Sequence, residues 1–185
     1  MSESGLSPAM EAAVARLVRE GRHAEAARLC EAEGALGEAS TLFAAVWEWS
    51  EAIASAERAG LFELAYRHAI SAGLEADVAR LVAKIAESPE EAAHLAPDAE
   101  RNGRALDAAR LFVAAGALED AARCFALAGA HEEAGACLES SGRYRDAGRA
   151  YEAALRSDPE AYAAALSLGR ILARMGRYEQ ATRAL

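Results

Sequence analysis

Apolar side chains return along this chain in blocks of thirteen residues, and each block opens on a glycine. Counting from that glycine, apolar residues stand five, eight, nine and twelve positions later, which is the spacing of an apolar stripe on an α-helix. Each block is predicted to be one helix of about ten residues, ended by a glycine in the left-handed conformation. The glycines are Gly21, Gly34, Gly60, Gly73, Gly103, Gly116, Gly129 and Gly142, and Trp47 stands where one more is expected.

The fifth position after the glycine is almost always alanine, which indicates helices that cross closely. A ten-residue helix is marginal in water, because even good helix formers need about 12–15 residues. Such helices persist only when they pack against their neighbours, so the pattern predicts an all-α solenoid of antiparallel helical hairpins, with about thirteen helices. The alanines are Ala26, Ala39, Ala52, Ala65, Ala108, Ala121, Ala134 and Ala147.

The thirteen-residue series is interrupted between Gly73 and Gly103. Ser88 and Pro89 form a good helix start, and Pro97 is expected to interrupt or kink that helix. We therefore predict a flexible N-terminus (1–7), an N-terminal array (8–86), a joint (87–102) and a C-terminal array (103–185). Three interpretations of the joint are open: it bends the array, it contacts a partner, or it is an insertion that the fold has accommodated.

The spacing lengthens to thirty-four residues between Gly142 and Gly176, and Asp158-Pro159 is expected to start a longer helix. Residues 142–185 resemble the tetratricopeptide repeat (TPR) family, although Ala165 stands where the family usually has a large residue. The matching residues are Gly142, Tyr144, Ala147, Tyr151, Ala154 and Pro159, followed by Leu168, Gly169, Leu172, Gly176, Tyr178 and Ala181.

This resemblance implies a right-handed superhelix whose concave groove binds a peptide or helix of a partner protein. In that family the groove is lined by the first helix of each repeat, which corresponds here to Glu132, Ala136 and Glu139, and then to Leu166, Arg170 and Arg174. A groove with acids on one helix and arginines on the next suits a mixed-charge or amphipathic helix. The chain stops partway through a repeat, so we expect it to come from a longer protein.

The tryptophans Trp47 and Trp49 lie together at the atypical turn. They are either a buried plug in that turn or a partly exposed anchor for a partner, since tryptophan is enriched at interface hot spots.

The net charge of −9 disfavours nucleic acids and anionic membranes as partners. The three cysteines show no disulfide or zinc spacing, and no export signal or membrane span is visible. We therefore expect a cytoplasmic protein of a reducing compartment.

No pattern in the sequence predicts a nucleophile, a general base, a phosphate-binding loop or a metal site. We therefore expect no enzymatic activity, no cofactor and no metal. The sequence favours a non-catalytic protein-interaction scaffold. The alternatives are a structural or regulatory arm that self-associates through its open ends, and a helical-repeat RNA binder, which the recurring acids disfavour.

Overall fold

The structure is a computed structural model that describes residues 6–184. These residues form thirteen α-helices and no strand. The all-α fold and the number of helices predicted from the sequence are therefore confirmed. The helices are α1 (Pro8–Arg19), α2 (His23–Ala32), α3 (Leu36–Ala45), α4 (Trp49–Arg58), α5 (Phe62–Ala72), α6 (Glu75–Ile85), α7 (Pro89–Arg101), α8 (Ala105–Ala114), α9 (Leu118–Leu127), α10 (His131–Ser140), α11 (Tyr144–Ser157), α12 (Tyr162–Arg174) and α13 (Tyr178–Ala184).

One compact turn explains the thirteen-residue period. After α1, Gly21 adopts φ 77° and its N–H donates to the carbonyl of Val18, while the N–H of Arg22 donates to the carbonyl of Leu17. These two bonds are those of a Schellman motif, which needs a left-handed residue that glycine supplies without strain. The carbonyl of Arg22 then accepts from Ala26, so the residue that completes one helix end also begins the next helix.

The alanine in the fifth position of each block is buried wherever it occurs. These eight alanines are at most 1% exposed, and Val78, at the same position in α6, is also 1% exposed. A methyl group at this position lets neighbouring helix backbones approach closely. The close packing stabilises helices that are too short to be stable alone.

The chain divides into two compact units, with the boundary at the end of α6 between Lys84 and Ile85. In the first unit, Leu6, Cys30, Ala39, Phe43 and Ala52 belong to one apolar cluster. In the second unit, a cluster around α11 and α12 buries Tyr151, Leu168, Ile171 and Leu172. Consecutive helices pack against each other from α1 to α5 in the first unit and from α7 to α13 in the second.

Ion pairs join helices that are two apart in the chain. In the first unit Arg58 of α4 pairs with Glu31 of α2 at 2.7 Å, and Arg80 of α6 pairs with Glu57 of α4. In the second unit Arg123 of α9 pairs with Glu100 of α7. Alternate helices therefore lie side by side, and each unit has two layers of helices, as expected for a TPR-like solenoid.

The structure describes parts of two further predicted segments, the N-terminus and the joint. Of the segment predicted to be flexible, only Leu6 and Ser7 are described; Leu6 is 6% exposed, and Ser7 caps α1 through its side chain. Residues 1–5 lie outside the described residues. The predicted joint, residues 87–102, contains α7, which packs against α8. Whether this segment acts as a joint stays a prediction.

Pro97 does not end α7, so the expected interruption is wrong, and a kink at this proline stays a prediction. The helix runs from Pro89 to Arg101 with Pro97 inside it. An interior proline removes one backbone hydrogen bond and costs about 3 kcal/mol. Burial of Ala92, Leu95, Ala96 and Ala99 on the same helix offsets this cost.

Asp158-Pro159 does not start α12, so this sequence prediction is wrong. Asp158 is the extended residue that ends α11, and its carboxylate accepts from the N–H of Glu160 at 2.9 Å. The residue before a proline disfavours the helical conformation, and an aspartate side chain readily forms this type of turn. The helix begins only at Tyr162, after Ala161 as its N-cap.

Candidate functional site

The predicted groove residues of α12 lie along one edge of that helix. Leu166, Arg170 and Arg174 are spaced by four residues and are all exposed. Tyr162 continues this series by one further step toward the start of the helix, and its side chain is 75% exposed. Sequence reasoning missed Tyr162, although its spacing of four residues from Leu166 was visible. We call Tyr162, Leu166, Arg170 and Arg174 the α12 edge.

The predicted groove residues of α10 are less exposed than those of α12. Ala136 is exposed, whereas Glu132 and Glu139 are half-buried. Among the predicted groove residues, the structure brings Glu139 and Arg170 into direct contact. The contact confirms that α10 and α12 are neighbours in one layer, as the repeat pattern predicts.

Glu139 is held by two side chains from the helices around it. Arg170 Nη2 donates to Glu139 Oε1 at 2.9 Å and to Oε2 at 2.8 Å, and Arg170 Nε donates to Oε1 at 3.2 Å. The hydroxyl of Tyr151, from α11, donates to Oε2 at 3.2 Å. Burial raises the pKa of Tyr151, and the hydrogen bonds to Glu139 raise the pKa of Arg170. Arg170 therefore links α12 to α10 while most of its side chain stays exposed to solvent.

Arg174 contacts an aromatic ring of the preceding helix. Its Nη1 donates to the hydroxyl of Tyr144 at 3.1 Å, and its guanidinium carbon lies 5.3 Å from the centre of the same ring. A cation–π contact of this kind orients the guanidinium while leaving it exposed to solvent.

A cavity of about 520 Å³ is lined by α11, α12 and the turn that follows α12. Tyr144, Leu168 and Met175 contribute apolar surface, and Arg145 and Arg149 contribute positive charge. This cavity could not be predicted from the sequence. Its residues come from two helices, and the repeat pattern does not specify how those helices are rotated relative to each other.

The two tryptophans contact each other in the first unit. Their ring centres are 6.4 Å apart, with an angle of 54° between the ring planes. Trp47 is 76% exposed and Trp49 is half-buried. The interpretation as a buried turn plug is therefore wrong for Trp47. Whether the pair binds a partner stays a prediction.

Trp47 adopts φ 67°, the conformation that glycine has in the other turns of this series. Among the described residues it is the one non-glycine residue with a positive φ. This conformation costs an L-amino acid about 1–2 kcal/mol. The exposed indole recovers little of that cost through burial.

Two polar side-chain atoms in this unit are buried without a hydrogen-bond partner among the described residues. They are Glu48 Oε2 and His68 Nε2. The ring of His68 lies 6.1 Å from the ring of Trp49, and burial lowers the pKa of His68. A buried polar atom without a partner is unfavourable and requires an explanation.

The three cysteines are buried and free. Burial raises the pKa values of Cys30, Cys124 and Cys137, which makes these thiols poor nucleophiles. Within residues 6–184, no group of three or more His, Cys, Asp or Glu side chains is placed to hold a metal ion. No described helix is both long and apolar enough to span a membrane.

Comparisons with known proteins agree with the repeat pattern at the C-terminal end. Residues 138–185, about a quarter of the chain, match the family model described as tetratricopeptide repeat. No curated protein matches the chain. A similar solved structure is described as "MamA RS-1 ArsTM double mutant"; it is 15% identical, the match covers 100% of this chain and 92% of that one, and the TM-score is 0.32. The family match confirms the TPR resemblance of the C-terminal segment.

Proposed function

We propose that this protein is a non-catalytic scaffold that binds a peptide or helix of a partner protein against α10 and α12. TPR repeats are generally interaction modules without catalytic chemistry, which supports this class of function. The observation that carries the proposal is the α12 edge, where Tyr162 and Leu166 are 75% and 62% exposed. Two large apolar side chains exposed one helical turn apart are typical of a helix-binding surface.

The charges of this surface suit an amphipathic partner helix of mixed charge. Arg170 and Arg174 follow the two apolar residues along α12, and Glu132 lies on the neighbouring helix. The partner would place apolar side chains against Tyr162 and Leu166 and an acidic side chain near Arg174. A basic side chain would face Glu132.

The test uses the two apolar residues, because Arg170 also stabilises Glu139. Partners captured by the full chain are identified and purified, and their affinity is measured for the wild type and for Tyr162→Ala/Leu166→Ala. We expect the affinity to fall about tenfold or more, since apolar anchors dominate interfaces of this kind.

The matched control is Leu127→Ala. Leu127 is 68% exposed on α9, which lies in the other layer of the second unit. We expect this variant to bind like the wild type. Equal losses in the two variants would refute the assignment of the partner to α10 and α12.

A second candidate function is self-association, because Tyr178 of α13 is 70% exposed and Met175 in the preceding turn is 39% exposed. In this case Tyr178→Ser would dissociate an oligomer that light scattering detects in the wild type. A wild-type monomer at every concentration would exclude self-association.

The tryptophan pair in the first unit is a separate surface. We propose that Trp47 and Trp49 contact a partner independently of α10 and α12, because tryptophan is the residue most enriched in interface hot spots.

A further inference from the structure

Trp47 has a strained backbone conformation and an exposed side chain. Neither feature is required for the turn to form, since glycine forms the same turn elsewhere in the series. Glycine in the other turns of the series supplies the left-handed conformation without strain, whereas Trp47 carries a 76% exposed indole at φ 67°. Residues held in strained backbone conformations cluster at active sites and ligand-binding sites. The strained backbone and exposed indole of Trp47 therefore make this turn a candidate ligand-binding site.

Some aromatic rings of this chain make a cation–π contact with a side chain of the same chain, and others do not. The ammonium of Lys84 lies 5.7 Å from the centre of the Phe62 ring, and the guanidinium of Arg174 covers Tyr144. In the part of the chain that the structure describes, no cation of this kind covers Trp47 or Trp49. Tryptophan is the strongest cation–π partner among the aromatic residues, so its exposed face is open to a cation from another molecule.

The surrounding sequence has the opposite charge to such a cation. Residues 29–57 contain six carboxylates and no lysine or arginine. Glu31 and Glu57 are paired with Arg58 and Arg80, which lie beyond this stretch. The remaining four include Glu48, which lies between the two tryptophans in sequence, and Glu51, which is exposed on the first turn of α4.

Glu48 supplies the second, independent observation. Its Oε2 atom is buried and accepts no hydrogen bond from the described residues. A negative charge held away from bulk water is screened less than an exposed one, so Glu48 adds to the negative potential of this turn without itself contacting a cation. The exposed Trp47 indole, with the exposed carboxylate of Glu51 four residues later in the chain, suits an alkylammonium or guanidinium group.

We propose that Trp47 and Trp49 bind a lysine or arginine side chain in a basic segment of a partner protein, and that Glu51 and Glu48 supply the negative potential that attracts it. This inference rests on the proposal that the tryptophan pair contacts a partner, and it names the chemistry of that partner. It does not depend on α10 and α12, which belong to the second unit.

The experiment uses an acetylated hexa-arginine peptide and the full chain. Binding is measured by the anisotropy of a label on the peptide. The emission of the two tryptophans, which are the only ones in the chain, reports whether the peptide reaches this site. We expect saturable binding that changes the tryptophan emission and weakens as salt is added. The same peptide with citrulline in place of arginine has nearly the same shape and no charge, and we expect it to bind at least about fivefold more weakly.

Three variants distinguish this site from general attraction to an acidic protein. Trp47→Gly is expected to weaken binding about fivefold or more without unfolding the chain, because glycine suits the conformation of this turn. Glu51→Gln is expected to weaken binding about twofold or more. Glu160→Gln removes the same charge from an exposed position in the second unit, and we expect it to have no effect.

Unchanged affinity in Trp47→Gly would overturn the site and the partner contact of the tryptophans together. Equal binding of the citrulline peptide would overturn only the cationic ligand. Equal losses in Glu51→Gln and Glu160→Gln would show non-specific attraction and overturn the site. The variant Tyr162→Ala/Leu166→Ala is expected to bind the arginine peptide like the wild type, so failure of the α10–α12 proposal can be recognised separately.

Discussion

Single residues decide how well each turn of this solenoid forms. Trp47 adopts φ 67°, and its ring contact with Trp49 contributes about 0.5–1.5 kcal/mol, which offsets part of the backbone strain. We expect Trp47→Gly to raise the free energy of unfolding by about 0.5–1 kcal/mol, measured by urea denaturation followed by circular dichroism.

The matched control is Gly34→Ala in the preceding turn. Gly34 has φ 81°, and a Cβ there would meet no atom within 4 Å, so only backbone strain acts. We expect a loss of about 1 kcal/mol. A loss of stability in Trp47→Gly would show that the indole contributes more than the turn costs.

Two glycines inside helices form a second matched pair. A Cβ on Gly135 of α10 would lie 2.7–2.9 Å from ring atoms of Tyr151, whereas a Cβ on Gly148 of α11 would lie 3.7 Å from Leu168. We expect Gly135→Ala to lose about 1–2 kcal/mol because the ring must move, and Gly148→Ala to gain about 0.5–1 kcal/mol through helix propensity. Denaturation of both variants tests the packing, and stabilisation by Gly135→Ala would contradict it.

His68 makes stability depend on pH. Burial lowers its pKa in the folded protein, so below pH of about 6.5 the unfolded chain binds a proton that the folded chain does not. The folded protein therefore loses stability as the pH falls from 7.5 toward 5. We expect this loss to be smaller in His68→Phe, which keeps an aromatic ring beside Trp49. Equal pH dependence of unfolding in the two proteins would contradict this role of His68.

At the scale of the helix, the small residue in the fifth position sets the distance between neighbours. Ala121 of α9 is 0% exposed, and Ala126 on the same helix is exposed. We expect Ala121→Leu to lose about 1–3 kcal/mol by overpacking and Ala126→Leu to change stability by less than about 0.5 kcal/mol. Thermal denaturation measures both, and equal effects would show that the helix spacing is adaptable.

Helix ends that follow a backbone pattern could be predicted from the sequence. A glycine every thirteen residues identifies the turn, because its left-handed conformation is a local property of the chain. The start of α12 could not be predicted because Asp158 can either cap a helix or form a turn before proline, and in both cases its carboxylate can accept from the N–H two residues later. The sequence left open whether Pro97 interrupts or only kinks α7, because the burial that outweighs the local cost of proline is a tertiary property.

The candidate surfaces could be predicted only in part, because exposure depends on neighbouring helices. The sequence identified Leu166, Arg170 and Arg174 by their place in the repeat. It did not predict that Arg170 also pairs with Glu139, or that Tyr151 joins the same carboxylate, because these contacts join side chains from three helices. Trp47 was recognised as atypical, but its exposure depends on the rotation of the side chain, which no periodicity encodes.

At the scale of the whole molecule, stability in a solenoid is approximately a sum of local contributions from neighbouring repeats. Both tryptophans lie in the first unit, so their emission reports that unit, whereas circular dichroism reports all helices. We expect Gly135→Ala, in the second unit, to shift the unfolding transition seen by circular dichroism more than the transition seen by tryptophan emission.

The control is Ala52→Leu, which overpacks α4 in the first unit, where Ala52 is 0% exposed. We expect this variant to shift the tryptophan transition more than Gly135→Ala does. Identical shifts by both probes in both variants would show that the two units unfold as one cooperative block.

The shared residue between consecutive helices also limits how the chain can change in length. Because Arg22 completes the end of α1 and begins α2, no spare residue exists in the turn to absorb an insertion. A gain or loss of one thirteen-residue block within a unit would move every later helix of that unit to the opposite layer. The residues that these helices expose would then lie on the opposite face of the unit. Two blocks together would restore the original layer, so duplications within an array should preserve binding faces only when they add helices in pairs.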